Sequence, residues 1–280
     1  MEVIAFGEIL YDVFSDGARL GGAPLNFAYY ARQFGLSTSI ISAVGRDVPG
    51  TKALKALRKA GIDTSLVART NKRTGLVTVK LNKGQPMFII DKNTAWDHIE
   101  YPKTVFNQPR MVYFGTLAQR TAGNRRVLEQ LLFRKPRHVF FDVNLRQKFW
   151  NKKVLVEGLK KSTIVKFNEY EWGTVKRMTR ASSPRELMKK YEIEYVIITK
   201  GERGAELYNG KKKYLARSPR VKVVDAVGAG DAFSGAFAAG ILNGVSVEKT
   251  LKKACAVGAY VVTRRGAQNH LPAILKRFGK

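Results

Sequence analysis

The chain alternates between short apolar runs and stretches whose apolar residues recur at helical spacing. The apolar runs predict buried strands at residues 2–6, 38–44, 111–115, 138–142, 163–167 and 195–199. The helical pattern predicts helices at residues 23–34, 47–60, 124–133, 153–160 and 184–191, with a short one after residue 168. This order predicts an α/β fold with an open, mainly parallel sheet and helices on both faces. Ligands of such sheets bind at the carboxyl ends of the strands.

Two stretches depart from this alternation and predict hairpins. Residues 69–90 alternate between apolar and polar positions around a loop at residues 82–85, which is typical of an antiparallel hairpin. We expect it to form a small antiparallel β lid from about residues 14–20 and 70–105, inserted into a single domain over residues 1–280. An ordinary edge meander is the alternative. Asn209-Gly210, between residues 205–208 and 212–215, is typical of a second hairpin turn.

Residues 221–233 combine strand, glycine and acidic signals in one short stretch. A β-type run at residues 221–224 ends at Asp225, and Gly228 and Gly230 then precede a helix rich in small residues that begins at Asp231. A helix start of this kind attracts anionic oxygen through its unpaired N–H groups and its dipole. The carboxylate of Asp231 would lie beside that anion. Such a position is typical of a general base that removes the proton from a hydroxyl as it attacks a phosphoryl group. A simple helix N-cap is the alternative.

Polar side chains also stand at or just beyond several predicted strand ends. They are Asp12, Asp142, Asn144, Arg146, Asn168, Glu171 and Asp225. One such residue is usually a turn or a cap, but several on one sheet edge favour a shared site. The glycines match neither a dinucleotide-binding fingerprint nor a phosphate-binding P-loop, and the protein-kinase motifs are absent from the sequence.

The composition agrees with an ordinary globular protein. The 280 residues are 45% hydrophobic and 26% charged, and the apolar runs are too short to span a bilayer. The first residues read as a strand, so we expect a cytoplasmic protein. Cys255, the single cysteine, excludes an intrachain disulfide and is expected to be a packed thiol in an alanine-rich helix. The three histidines are far apart and show no metal-ligand spacing.

The charge balance is unusual for a metabolic enzyme. Fifty basic residues against 22 acidic ones give a formal charge of +28. Such a charge is compatible with nucleic-acid binding, and a non-catalytic interaction module that binds nucleic acid is a competing hypothesis. The basic residues are spread over many segments without one aromatic-interleaved stripe, so solvated faces and a field that attracts anions are the preferred interpretation.

Several motifs together resemble the PfkB (ribokinase-like) carbohydrate kinases. Asp225-Ala226-Val227-Gly228-Ala229-Gly230-Asp231 matches their C-terminal signature. Residues 21–26, Val44-Gly45-x-Asp47-x-x-Gly50, Asn168-x-x-Glu171, residues 199–201 and residues 262–267 match further motifs in the same order. The resemblance covers essentially the whole chain. It implies a ribokinase-like three-layer α/β fold with a β lid, ATP-dependent phosphorylation of a sugar hydroxyl, and homodimers that share lids.

The resemblance also implies roles for individual residues. Asp231 is the expected base, with the N–H groups of Gly228, Ala229 and Gly230 as an anion hole. The residues expected to bind the sugar are Asp12, Gly22, Asn26, Asn144 and Arg146, together with Asp231. Those expected at the nucleotide are Asn168, Thr199, Gly201, Gly228 and Gly230. Small residues of the last helices, Ala254, Val257 and Gly258, make room for adenine or simply pack the helices.

Two metal sites follow from the same resemblance. Glu171, with Asn168, is expected to organise Mg²⁺ through water near the ATP phosphates. Asp225, Val227 and Gly266 stand where many family members bind a monovalent cation such as K⁺. His270 occupies the position of a small hydroxyl residue of ribokinase, which argues against a K⁺ requirement.

The sugar is expected to be fructose. The first glycine motif resembles fructokinases and 2-keto-3-deoxygluconate kinases more than ribokinases, which usually carry Gly-Lys-Gly there. Arg146 is then expected to hold a ketohexose oxygen or a sugar-acid carboxylate, unless it is a structural strand-end arginine. Trp96 either covers the sugar or anchors the lid root. The favoured reaction converts fructose to fructose 6-phosphate; a 2-keto-3-deoxygluconate kinase, a ribokinase or another sugar or nucleoside kinase is the alternative.

Overall fold

The main body of the molecule is a nine-stranded sheet. The computed structural model describes residues 2–82, 85–103 and 106–278, and side chains outside residues 79–88. The strands in chain order are β1 Val3–Phe6, β2 Leu10–Phe14, β3 Gly17–Gly21, β4 Thr38–Gly45, β5 Val67–Thr70, β6 Gly75–Asn82, β7 Gln85–Ile90, β8 Met111–Gly115, β9 His138–Asp142, β10 Ile164–Asn168, β11 Tyr195–Thr199, β12 Ala205–Asn209 and β13 Lys212–Ala216. The large sheet has the order β13-β12-β11-β10-β9-β8-β1-β4-β5.

The pairing confirms the predicted mainly parallel sheet. Strands β4, β1, β8, β9, β10 and β11 pair in parallel, and β5 pairs in parallel with β4. The hairpin predicted at Asn209-Gly210 is β12–β13, which adds two antiparallel strands at one edge. The carboxyl ends of the parallel strands therefore open on one side of the sheet, as ligand-binding α/β folds require.

Helices cover both faces of this sheet. They are α1 Ala23–Gln33, α2 Val48–Lys59, α3 Ala122–Phe133, α4 Lys152–Lys160, α5 Glu169–Thr179, α6 Pro184–Tyr191, α7 Ala229–Leu242, α8 Val247–Val261 and the short α9 Ala273–Lys276. One core contains buried residues of α1, α2, α7 and α8, and the other those of α3, α4, α5 and α6. Residues of β1 alternate between the two cores, as a strand buried on both faces must. Within the described residues, no helix is long and apolar enough to cross a membrane.

A smaller sheet stands beside the carboxyl ends of the large one. Its order is β3-β2-β6-β7, with β2–β3 and β6–β7 antiparallel and β2–β6 parallel. The hairpin expected within residues 69–90 is β6–β7, although part of its loop, residues 83–84, lies outside the described residues. The strand Val67–Thr70 pairs with β4 of the large sheet instead. The small sheet also includes β2, which carries Asp12.

One predicted strand is wrong. Residues 221–224 form no strand, and the backbone N–H groups of Val224 and Asp225 donate to the carbonyl of Val262, 2.7 and 3.2 Å away. The side chains of Val221, Val223 and Val224 are 40%, 62% and 53% exposed. The β-branched run suggested a buried strand, but the chain has already left the sheet edge at β13. Val221 and Val223 instead line the cavity described below.

Asp47 fastens helix α2 and the root of β6 to the large sheet. Its carboxylate accepts hydrogen bonds from the backbone N–H groups of Gly50 (2.8 Å) and Thr74 (2.7 Å) and from the Thr74 hydroxyl (2.6 Å). The Thr74 Oγ1 accepts in turn from the Gly45 N–H. This cluster gives the Val44-Gly45-x-Asp47-x-x-Gly50 motif a structural reason, because a side chain at Gly45 or Gly50 would collide with it.

We expect Asp47→Ala to lower the free energy of unfolding by about 2–3 kcal/mol, since a helix cap and two bonds to Thr74 are lost together. Burial acts to raise the pKa of Asp47, but the bonds from Thr74 and Gly50 outweigh it and the pKa is lowered. The stabilisation is therefore present above the unfolded pKa of about 3.9 and is lost as pH falls through the folded pKa. Urea unfolding from pH 7 to pH 2 measures both effects; an unchanged midpoint at pH 7 contradicts the assignment. Asp16→Ala, at an exposed surface ion pair, is the control without a measurable change.

Candidate active site

Helix α7 begins at a glycine with a left-handed backbone. Gly228 has φ of 79° and is the N-cap, and a Cβ there would lie 2.6 Å from the carbonyl oxygen of Ala267. The helix starts at Ala229, so Asp231 is its third residue and not its cap. No described side chain caps this end. The Ala229 N–H makes a long bond of 3.4 Å to the Ala226 carbonyl, and the N–H groups beside it, of Gly228 and Gly230, face no described acceptor, which is the arrangement that binds anions.

Asp231 lies in the first turn of this helix and is half-buried. Its Oδ2 accepts a hydrogen bond of 2.9 Å from Nδ2 of Asn26 in α1. Burial, followed by the Asp142 carboxylate, raises the pKa of Asp231 to about 6, while Asn26, Lys166 and Arg146 oppose the rise. A carboxylate with such a pKa is mostly ionised at pH 7 and still accepts a proton readily, which is the requirement for a general base.

A buried ion pair lies beneath the start of α7. The Lys166 ammonium is 2.6 Å from Oδ2 of Asp142, which also accepts from the hydroxyls of Tyr113 (3.0 Å) and Ser234 (3.2 Å). The Lys166 Nζ is 3.6 Å from the position that a Cβ on Gly230 would take. The Lys166 ammonium, paired with Asp142, therefore lies close to Gly230 at the start of α7.

Three carboxyl groups share the neighbourhood of Arg146. The Arg146 charge lowers the pKa of Glu8, Asp12 and Asp231 alike, so its guanidinium lies near all three. Burial nevertheless raises the pKa of Glu8 to about 7 and that of Asp12 to about 6. The predicted residues Asp12, Asn26, Arg146 and Asp231 thus come together on the small-sheet side of α7.

The paired glycines at the start of α1 allow these groups to approach. A Cβ at Gly21 would lie 2.6 Å from Oδ2 of Asp12, and one at Gly22, where φ is 113°, would lie 2.3 Å from the carbonyl oxygen of Glu8. The Glu8 Oε1 accepts from the N–H of Ala23, the first residue of α1, at 3.3 Å. The glycine motif therefore packs the beginning of α1 against the acidic groups.

Two other predictions for the sugar side have different outcomes. Asn144 has a positive φ of 38°, and its carbonyl accepts from the Thr116 hydroxyl at 3.1 Å, which gives it a role in the turn. Trp96 is 1% exposed, and the Arg120 guanidinium stacks on its ring at 3.9 Å. A Cβ on Gly75, the first residue of β6, would lie 2.3 Å from Trp96 Nε1. Of its two interpretations, Trp96 therefore fits the anchor of the small-sheet root.

A cavity of about 910 Å³ opens on the other side of the α7 start. Its lining includes Thr199, Gly201, Arg203, Arg217, Arg220, Val221, Val223, Ala229, Gly230, Phe233, Cys255, Gly258 and Ala259. Of the residues predicted at the nucleotide, Thr199, Gly201, Gly230 and Gly258 reach this cavity. The three arginines outnumber Glu202, the acidic residue of the lining, and the Glu169 carboxylate that pairs with Arg203, so the cavity keeps a net positive charge, which attracts polyanions.

The side of α8 that faces the cavity agrees with the prediction at Gly258 and differs at Ala254 and Val257. Ala254 and Val257 have no exposed surface and belong to the core, so they do not line the cavity. Gly258, predicted together with them, does line it, along with the neighbouring Cys255 and Ala259. The interpretation of Ala254 and Val257 as helix-packing residues is therefore the one that holds. Burial raises the pKa of the Cys255 thiol to about 12, as expected for a packed and unreactive cysteine.

The Asn168-x-x-Glu171 motif is a capping box at the start of α5. The Asn168 Oδ1 accepts from the Glu171 N–H, and Glu171 Oε2 accepts from the Asn168 N–H, both at 2.9 Å. The Glu171 Oε1 accepts from the Leu145 N–H at 2.7 Å. Each carboxylate oxygen keeps a lone pair for a water molecule, so Glu171 fits contact with a hydrated Mg²⁺. The described residues include no group of three or more His, Cys, Asp or Glu able to hold a metal directly.

The residues expected at a monovalent cation already have hydrogen-bond partners. Asp225 accepts from the N–H groups of Val227 (3.0 Å) and Gly266 (2.9 Å). The Gly266 carbonyl accepts from Nδ2 of Asn269 at 2.7 Å. The bonds to Asp225 reach its carboxylate, so of the three expected carbonyl ligands only that of Gly266 has a described hydrogen bond, and it keeps a second lone pair. These bonds tie the loops of Asp225 and Gly266 together without occupying the carbonyls of Asp225 and Val227.

Sequence reasoning missed Lys166 and Glu8. Lys166 interrupts the buried apolar strand β10, and an isolated lysine among buried strand residues is rare unless it is paired. That signal was available in the sequence. Glu8 follows β1 directly and is 4% exposed, but nothing in its local sequence distinguishes it from a surface glutamate.

An open parallel sheet, a carboxylate at the start of a glycine-rich helix and a cationic cavity beside it define a class of enzyme that transfers a phosphoryl group to a hydroxyl. The chain matches the model of the pfkB family of carbohydrate kinases over residues 2–274, and it belongs to this family. It is therefore a sugar kinase with the ribokinase-like fold. The alternative of a non-catalytic nucleic-acid-binding module is set aside.

Similar proteins include both phosphofructokinases and fructokinases. An ATP-dependent 6-phosphofructokinase of Thermoanaerobacterium thermosaccharolyticum is 28% identical over 98% of this chain and 91% of that protein. A probable fructokinase of Arabidopsis thaliana is 28% identical over 96% of this chain and 94% of that protein. The solved structure of an uncharacterised sugar kinase from Pyrococcus horikoshii in complex with ATP has a TM-score of 0.83 at 28% identity, covering 95% of this chain and 94% of that one.

Proposed function

We propose that this protein uses Mg·ATP to phosphorylate the hydroxymethyl group of a ketohexose, converting fructose to fructose 6-phosphate. One observation carries the proposal: the Asp231 carboxylate, held by Asn26 at 2.9 Å, follows Gly230 at the end of the 910 Å³ cavity and shares the charge of Arg146 with Glu8 and Asp12. ATP fits the cavity because three arginines line it and the N-terminus of helix α7 lies at one end of it. The sugar then takes the opposite side, near Asp12 and Arg146.

In the proposed reaction Asp231 takes the proton of the sugar hydroxyl as its oxygen attacks the γ-phosphorus. The new oxygen–phosphorus bond forms while the bond from the γ-phosphorus to the bridging oxygen breaks, and ADP leaves. The N–H groups at residues 228–230 stabilise the charge on the transferring group, and Lys166 adds a fixed positive charge behind them. Mg²⁺, when bound with ATP, neutralises phosphate charge, and Glu171 is placed to hold its waters.

The carboxyl groups of Glu8, Asp12 and Asp231 near Arg146 favour a neutral sugar. A substrate carboxylate would have to share the Arg146 guanidinium with Asp12 and Asp231, whose pKa values of about 6 leave both mostly ionised at pH 7. Like charges within one small pocket repel each other, whereas sugar hydroxyls donate hydrogen bonds to such carboxylates. This charge balance supports fructose over 2-keto-3-deoxygluconate.

A substrate panel tests the sugar. We expect ADP release to be stimulated most by fructose, and less by 2-keto-3-deoxygluconate, ribose and fructose 6-phosphate. Arg146→Met is expected to lower kcat/KM for fructose by about tenfold or more, because a hydrogen bond from a charged donor is lost. Higher kcat/KM for the sugar acid or for fructose 6-phosphate contradicts the choice of fructose. Arg137 directly precedes β9, at the amino ends of the parallel strands and away from the site. Arg137→Met is therefore the control for the loss of one positive charge.

A further inference from the structure

A chain of side-chain amides joins the small sheet to Asp231. Gln268, in the segment after α8, donates from Nε2 to the carbonyl oxygen of Leu20 in β3 (3.3 Å) and to Oδ1 of Asn26 (3.1 Å). Asn26 donates from Nδ2 to Oδ2 of Asp231 at 2.9 Å. Gln268 does not reach Asp231 itself, so any effect on the carboxylate passes through Asn26.

Hydrogen-bond chemistry fixes the direction of this chain. The Leu20 carbonyl only accepts, so Gln268 must present its NH₂ group to it, and the second proton of that group then faces Asn26. The Oδ1 of Asn26 must therefore accept this hydrogen bond, which places the NH₂ group of Asn26 toward the carboxylate of Asp231. An amide has nearly the same shape after a flip. The ionised Asp231 carboxylate only accepts and itself favours the NH₂ group of Asn26, but a protonated Asp231 can donate to the Oδ1 of a flipped Asn26, and Gln268 opposes that flip.

The segment that carries Gln268 is fastened to α1. The Tyr30 hydroxyl donates to the carbonyl of Ala267 at 2.9 Å. The Gln33 side chain donates to the carbonyl of Asn269 at 3.0 Å and accepts from the N–H of Leu271 at 2.8 Å. Both anchors lie on the same helix as Asn26. Gln268 is therefore held at a fixed distance from the amide that it contacts.

We propose that Gln268 is a positioning residue that locks the Asn26 amide in the orientation that donates to Asp231. This proposal rests on the proposed function, in which Asp231 is the base. Without the lock, Asn26 can turn its Oδ1 toward Asp231, and two oxygens with partial or full negative charge then face each other. The ionised form of Asp231 is destabilised in that state, and the base loses the contact that orients it.

The other charged and titratable groups around Asp231 do not change with Gln268. They are Glu8 after β1, Tyr30 in α1, Tyr113 in β8, Asp142 in β9, Arg146 after it and Lys166 in β10. Burial and the Asp142 carboxylate raise the pKa of Asp231, and the hydrogen bond from Asn26 lowers it. Losing that bond must therefore raise the pKa of Asp231 above about 6, and the acid limb of the rate profile moves to higher pH.

Two variants of similar size separate the lock from simple loss of a side chain. Gln268→Met removes both donors and frees the Asn26 amide, while Gln268→Glu adds an acceptor that draws the Asn26 NH₂ group away from Asp231. We expect kcat with fructose to fall about tenfold in Gln268→Glu and less in Gln268→Met, with little change in KM for ATP. The acid limb of kcat is expected to shift upward in the same order.

Gln33→Met is the matched control. It removes a glutamine that holds the same segment through Asn269 and Leu271 but does not contact Asn26. We expect its acid limb to stay at the wild-type pH, even where its melting temperature falls. An equal pH shift in the Gln33 and Gln268 variants overturns the proposal, since Gln268 would then act only by holding the segment.

A second readout is independent of turnover. Carboxyl ¹³C NMR titration follows the ionisation of Asp231 in wild type, Gln268→Glu and Gln268→Met, and we expect the pKa of Asp231 to be highest in Gln268→Glu. An unchanged Asp231 titration in both variants overturns the lock. If the wild type lacks sugar-stimulated turnover, the proposed function fails, and the titration still decides whether Gln268 orients Asn26.

Discussion

Asp231→Asn is expected to lower kcat for fructose phosphorylation by about a thousandfold, the effect of removing a general base. The asparagine keeps the size of the side chain and a partner for Asn26, so folding and ATP binding are expected to stay near wild type. In the wild type, kcat/KM for fructose is expected to fall as pH drops through about 6, because the protonated Asp231 of the free enzyme cannot take the hydroxyl proton. Coupled ADP release and a calorimetric ATP titration measure the two effects.

Asp12→Asn is the matched comparison for this variant. Asp12 also has a raised pKa and lies near Arg146, but it belongs to the small sheet and not to α7. We expect it to raise KM for fructose while kcat changes much less, since its proposed contacts are with the bound sugar in every state. If the two variants lose kcat equally, or if Asp231→Asn turns over at nearly the wild-type rate, the assignment of Asp231 as the base is wrong.

Lys166→Met is expected to lower the free energy of unfolding by about 3–5 kcal/mol, because it leaves the buried Asp142 carboxylate without its charged partner. The two side chains are only 7% and 3% exposed, and their ion pair measures 2.6 Å. We also expect kcat to fall, since the positive charge behind the α7 start is removed. Urea unfolding and steady-state kinetics measure the two losses separately.

The double variant Lys166→Met/Asp142→Asn distinguishes stability from catalysis. Removing both charges is expected to recover much of the lost stability, because no unpaired charge then remains in the core. Activity is not expected to return, because the positive charge near Gly230 is still missing. A double variant with wild-type kcat shows that Lys166 is structural only. An unchanged unfolding midpoint in Lys166→Met itself contradicts the buried pair.

Local patterns in the sequence predicted most of the architecture. The apolar runs gave the six central parallel strands because a strand buried on both faces must be apolar throughout. The strand predicted at residues 221–224 is absent. Valines favour an extended backbone whether or not they pair in a sheet, and here they are exposed, with Val221 and Val223 lining the cavity.

The site was predictable where a motif has a fixed local conformation and less so where partners are distant. Gly228, Gly230 and Asp231 follow one another, so their placement at a helix start could be read directly. Helical spacing alone does not say which side of α8 faces the cavity, and Ala254 and Val257 were therefore misplaced. The contact of Gln268 with Asn26 joins residues 242 positions apart, and only the folded structure brings them together.

The most direct test of the account is to identify the product made from fructose and ATP. ³¹P and ¹³C NMR of the reaction mixture are expected to show fructose 6-phosphate and ADP in equal amounts with the wild-type enzyme, and neither with Asp231→Asn over the same time. Phosphorylation of fructose at another hydroxyl, or ATP turnover that no sugar in the panel stimulates, contradicts the account.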